Sequence, residues 1–164
     1  MKQPIFIILL LLITMGVCGQ TYNPYMEQYN PKKKEWKYKE AVKTIALFST
    51  SIILDAVGDG FNDSGRKGMG HFLQASSTGL LVASPFILNV KKYNWGWYAA
   101  SYISLRIAFF DPTYNLSRGL PIGYIGNSSM WDKTLRGFKT TPSSLLLGRS
   151  LFLIVGFTIP LNEF

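Results

Sequence analysis

The stretch MGHFLQASSTGLLVASPFIL, Met69–Leu88, decides how the rest of the chain is read. Its only ionisable side chain is His71, and its length is close to the roughly 20 apolar residues that cross a bilayer as a helix. Small residues recur every four positions at Ala75, Gly79 and Ala83. Such a stripe lets helix backbones approach closely where lipid removes the usual hydrophobic drive. On the same helix His71, Gln74 and Thr78 follow an i, i+3, i+7 pattern and predict a polar face.

Three more segments have the same character. One runs from about Lys34 to Val57, with its apolar part starting at Ala41. Another runs from Trp95 to Phe110 and is expected to stop at Asp111-Pro112, since proline disfavours the helical region for the residue before it. The last begins at Thr141-Pro142, an N-cap followed by proline at the first helical position, and continues to about Ile159. Small residues are spaced for close packing again at Ala100, Ser104 and Ala108, and at Gly148 and Gly156. Within the Gly-, Pro- and Asn-rich loop between the last two segments, Ser129 to Arg136 has the pattern of a short amphipathic helix. The expected fold is all-α: a bundle of about four hydrophobic helices, membrane-embedded or membrane-associated. The carboxy-terminal residues Phe157–Phe164 do not alternate apolar and polar, and they include Pro160, which argues against a lipid-facing β-barrel strand.

Ahead of these segments, Met1 to Gly19 reads as a signal peptide. Lys2 gives the positive start, Ile5–Ile13 the apolar core, and Val17 and Gly19 the small residues before a cut at Gln20. A lipobox acylating Cys18 is the competing reading. Cys18 is the sole cysteine, so cleavage at Gly19 leaves a mature chain without disulfide or thiolate chemistry. Residues 20–33, with two copies of Tyr-Asn-Pro, are expected to form an extended linker, and residues 34–164 a single helical domain. The expected address is the cell-envelope membrane or the periplasm.

The net charge of +8 is concentrated in Lys32, Lys33, Lys34 and Lys37, interleaved with Trp36 and Tyr38 just before the first apolar segment. That arrangement suits anionic lipid headgroups, and an exported chain meets no nucleic acid. The other basic residues fall in loops on both sides of the helices, so the positive-inside rule assigns no orientation.

The polar residues inside the apolar segments are the candidate site. An ionised side chain at bilayer depth costs a few kcal/mol (about 2.5–3.5) and normally faces a partner inside the bundle. Asp55 and Asp59 are the acids available, and Arg106 and Arg149 the cations. His71, the only histidine, is the candidate proton-transfer residue, oriented by Asp55 or Asp59. A lone histidine cannot anchor an ordinary zinc site, and the acidic stretch from Asp59 has Phe61 and Gly70 where a calcium loop needs oxygen ligands. No metal and no cofactor is expected.

His71-Phe72 opening a helix, then Arg106, Asp111-x-x-x-Asn115 and Gly119, stand in an order that resembles the small VanZ-like and YfiM-type envelope proteins. The chain departs from that pattern in having Gly68 where a lysine precedes the histidine, and Pro112 after the aspartate. The resemblance covers about a third of the chain. It implies a small helical envelope protein in which His71, Arg106, Asp111 and Asn115 cluster as a polar, ligand-binding site, with Arg149 available to an anion. Three roles follow as expectations: a structural or interaction protein of the envelope; an enzyme acting on lipid or cell-wall material at the membrane face; or a lipid or small-ligand binding module.

Overall fold

A computed structural model describes residues 31–88, 95–126 and 130–163. The signal-peptide segment and most of the expected linker lie outside the described residues. Among those described there are five α-helices and no strand: α1 Pro31–Asp63, α2 Lys67–Ile87, α3 Trp95–Ser117, α4 Met130–Gly137 and α5 Pro142–Glu163. The all-α expectation holds, with five helices rather than about four, the additional one being the short amphipathic α4.

Two expected boundaries are corrected. Residues 31–33, assigned to the linker, already belong to α1, which runs past Val57 to Asp63. The third helix does not stop at Asp111-Pro112; Pro112 lies within α3. The true stops are glycines. At Gly65 (φ +82°) the Arg66 amide donates to the Phe61 carbonyl at 2.8 Å, and at Gly119 (φ +70°) the Leu120 amide donates to Asn115 at 2.8 Å. Both are left-handed C-terminal caps that only glycine enters without steric cost. The start of α5 is as expected. Thr141 Oγ1 accepts the Ser144 amide at 3.2 Å, and Ser144 Oγ accepts the Thr141 amide at 2.9 Å.

The long helices run up and down, and α1 is the hub. It packs against α2 on one flank and against α3 and α5 on the other, while α3 and α5 also pack together. The α1–α2 seam is built from Ala41, Thr44, Phe48, Ser51, Asp55, Gly58 and Asn62, spaced alternately three and four apart. Gly70, Gln74, Ser77, Leu81, Ser84 and Leu88 answer them with the same spacing, the pattern of a left-handed coiled-coil seam. Its narrowest point is Gly58 against Gly70: a Cβ on Gly58 would lie 2.9 Å from the Gly70 carbonyl oxygen. Two turns away, Ser51 Oγ donates to the Ser77 carbonyl at 3.2 Å and lies 3.0 Å from Ser77 Oγ. On the other flank, Ser101 Oγ of α3 donates to the Gly156 carbonyl of α5 at 2.8 Å.

The seam corrects which stripe of α2 faces inward. The buried positions are Gly70, Ser77 and Ser84; His71, Ala75, Thr78 and Gly79 are exposed, and a Cβ on Gly79 would meet nothing. Apolar packing centres on a cluster of Phe48, Ile52, Leu88, Tyr98 and Leu105, where Phe48 meets Tyr98 and Tyr102 edge to face, and Leu145 and Ile159 of α5 are buried as well. Large apolar side chains elsewhere point outward: Phe86 is 89% exposed, Leu147 66% and Ile154 60%. The interior mixes apolar side chains such as Ile52, Leu105 and Leu145 with small polar ones such as Ser51, Ser77 and Ser101, while many large apolar side chains lie on the outer faces.

Candidate functional site

The polar side chains gather at the end of the bundle where α1 meets α2 and where α3 hands over to the loop before α5. They form two clusters. The first is a ladder between α1 and α3. Asp55, Asp59 and Asp63 recur every four residues on α1, and Tyr102, Arg106, Phe110, Tyr114 and Arg118 do so along α3 and its first residue beyond. Four-residue spacing puts each set on one helix face. Arg106 Nη1 donates to Asp55 Oδ2 at 2.6 Å and to the Tyr102 hydroxyl at 3.3 Å, with its guanidinium 4.3 Å from the centre of the Phe110 ring. At the rim, the Tyr114 hydroxyl donates to Asp63 Oδ2, and Arg118 Nη1 donates to that hydroxyl at 2.8 Å. Asp59 has no arginine. It accepts from Gln74 Nε2 of α2, whose Oε1 accepts from Asn62 at 3.0 Å.

The second cluster joins α3, α5 and the loop. Arg149 is 6% exposed, and its Nη2 donates to Asp111 Oδ2 at 2.7 Å. Its Nη1 donates at 3.2 Å to the Ile122 carbonyl, which also accepts from Asn115 Nδ2 at 3.3 Å. Asn115 donates again to the Tyr124 carbonyl at 3.0 Å, and Arg136 of α4 donates to the Ile125 carbonyl at 2.9 Å. The loop is held through its backbone carbonyls at Ile122, Tyr124 and Ile125, each of which accepts from a helix side chain.

The seven expected site residues thus divide. Asp55 and Arg106 pair as the chemistry suggested; Asp59 sits beside them on an amide partner. Asp111, Asn115 and Arg149 form the loop cluster. His71 stands apart: it is exposed, and no hydrogen bond or ion pair joins it to another described residue. It adjoins Gly70, which fills the α1–α2 crossing, so the imidazole is turned about 100° from that contact. Among the described residues, no three His, Cys, Asp or Glu side chains group so as to hold a metal ion.

The members absent from the expected set are Asn62, Asp63, Tyr114 and Arg118. The four-residue periodicity that marks Tyr114 and Arg118 is visible in the sequence, but only if α3 is allowed to continue through Pro112. Chemically, both clusters are charge-paired and hydrogen-bonded. They can fix helix register and hold a loop, and the second borders a cavity on which Asp111 and Arg149 lie. No family model, curated protein or solved structure matches this chain.

Proposed function

We propose that this is an integral membrane protein of the cell envelope, four long helices deep, with a structural or interaction role. The observation that carries the reading is the number of large apolar side chains on the outer faces, over an interior that also holds small polar groups. Ser51, Ser77, Ser101, Thr44 and Arg149 are buried, whereas Phe86, Leu147 and Ile154 face outward. In water, large apolar side chains exposed along several helices would make contiguous patches of the kind that mark contact with a partner or a membrane. In lipid that exposure costs nothing, and small polar interiors are how spanning helices associate.

Two helices, over Tyr38–Asp63 and Pro142–Leu161, are long and apolar enough by composition to cross a membrane. α2 and α3 pack along α1, so whatever slab contains α1 contains them. At 1.5 Å per residue α2, α3 and α5 are about 31–35 Å long, matching a hydrocarbon core of about 30 Å. α1 projects beyond the end of α2, and the sequence of that extension is the basic run from Lys32 to Lys37, whose composition suits lipid headgroups. Trp95 and Trp97 open α3 near the same end, where an interfacial aromatic belt belongs. Export through the Met1–Gly19 leader, and kinship with VanZ-like envelope proteins, belong to the same proposal. The ion pairs serve it by locking α1 to α3, through Asp55 and Arg106, and α3 to α5, through Asp111 and Arg149. The isolated position of His71 gives a hydrolytic reading no support.

Washing membranes that contain the full chain with alkaline carbonate tests this directly. The protein is expected to stay in the pellet and to need detergent for release; recovery in the carbonate supernatant contradicts the proposal.

A further inference from the structure

A half-open cavity of about 90 Å³ lies between α3, α4 and α5 at the loop end of the bundle. Ile107, Leu145, Gly148 and Phe152 make its apolar walls, Leu135 of the amphipathic α4 closes one side, and the Asp111–Arg149 pair lies on it. Among the described residues neither ionised partner is saturated: two of the five N–H groups of Arg149 are engaged, by Asp111 and Ile122, and Asp111 Oδ1 accepts no hydrogen bond. The Asp111 side chain is 33% exposed. A nine-tenths buried arginine with spare donors, beside a carboxylate with a spare acceptor, is a binding site for two opposite charges at once.

We propose that this cavity receives the headgroup of a phospholipid bearing a primary ammonium, with the phosphate on Arg149 and the ammonium on Asp111. The pair is neutral overall, so a simple anion gains from Arg149 what it loses against Asp111; a zwitterion satisfies both. A quaternary ammonium has no N–H to donate to Asp111 Oδ1, so the geometry selects a phosphoethanolamine head over phosphocholine. The cavity has room for about three waters at 30 Å³ each. It therefore takes the polar tip and leaves the acyl chains outside, against exposed Leu146, Leu147 and Leu151 of α5. Depth agrees. Arg149 is seven residues into α5, about 10 Å from its start, and helical side chains lean toward the N-terminus. Its guanidinium reaches the Ile122 carbonyl of the loop, at the edge of the hydrocarbon.

The proposal rests on the membrane reading above, and the two fail differently: release by carbonate removes the membrane reading, whereas retention without headgroup preference removes only this one. The test is native mass spectrometry of the detergent-purified full chain, titrated with dioleoyl phosphatidylethanolamine, phosphatidylcholine and phosphatidylglycerol, with soluble glycerophosphoethanolamine as competitor. The ethanolamine lipid is expected to bind at least about tenfold more tightly than either other lipid, the share of one charge-assisted hydrogen bond. Gly148→Leu should abolish that preference while keeping helix content and melting temperature, because a Cβ at Gly148 meets nothing but the open cavity. Equal binding of the three lipids, or an unchanged preference in Gly148→Leu, overturns the proposal. So does displacement by the soluble headgroup at concentrations equal to the lipid, which would make the ligand a free metabolite.

Discussion

Asp111→Ala is expected to be among the most damaging single substitutions in the chain, lowering stability in detergent by about 3–5 kcal/mol. The cause is the group left behind. Arg149 is 6% exposed, and its one carboxylate contact is Asp111 at 2.7 Å. Removing the carboxylate leaves a buried cation with a single carbonyl, Ile122, which cannot neutralise it. The loop suffers as well, since Arg149 and Asn115 share that carbonyl. Replacing both partners together, as Asp111→Leu with Arg149→Met, should recover most of the loss, because no charge then remains to be desolvated. Asp63→Ala supplies the contrast. Its ion pair with Arg118 spans 3.6 Å between half-exposed side chains at the rim, and an exposed pair contributes about 0–1 kcal/mol. Thermal melts followed by circular dichroism of the three variants should rank them in that order. A melt for Asp111→Ala equal to that of Asp63→Ala would contradict the buried-pair account.

The second large effect is steric. A side chain on Gly70 would run into Asn62 Oδ1 and stand 2.7 Å from the Gly58 carbonyl oxygen. The first obstacle can rotate; the second is backbone of α1 and cannot move unless the helices separate. Gly70→Val should therefore cost at least about 3 kcal/mol, the upper end for overpacking a tight site. It should also break the Ser51–Ser77 contact along the same seam. Gly79→Val, on the outer face of the same helix with nothing within reach, should change stability by no more than about 0.5 kcal/mol. The same assay distinguishes them, and equal melting temperatures for the two would mean that α2 docks on α1 by a different face.

That pair of glycines also illustrates where sequence reading succeeds and where it stops. The all-α class, the α5 start at Thr141-Pro142 and the short helix after Ser129 rest on local signals: apolar length, a capping hydroxyl, amphipathic spacing. Such signals need no partner to be read. Which stripe of α2 faces inward is not local. Ala75, Gly79 and Ala83 make as good a small-residue stripe as Gly70, Ser77 and Ser84, and only the position of Gly58 and Ser51 on α1 chooses between them. The Asp55–Arg106 pair was legible because each charge needs an opposite one at depth. The rest of that ladder was hidden by Pro112. Pro112 lies inside α3 without ending it, so the residues beyond it stay on the same helix face. His71 drew attention as the sole histidine, and the register of α2 turns it away from the bundle.

The central claim is that the outward apolar faces lie in lipid. Nitroxide labels placed singly at Ile103 and Ile154, in a Cys18→Ser background reconstituted into vesicles, test it most directly. Both residues are exposed and lie near the middles of α3 and α5. The account predicts labels strongly relaxed by oxygen, which concentrates in hydrocarbon, and nearly untouched by a water-soluble nickel chelate. Labels at both sites that respond to the nickel chelate as freely as a surface site of a soluble protein would contradict it.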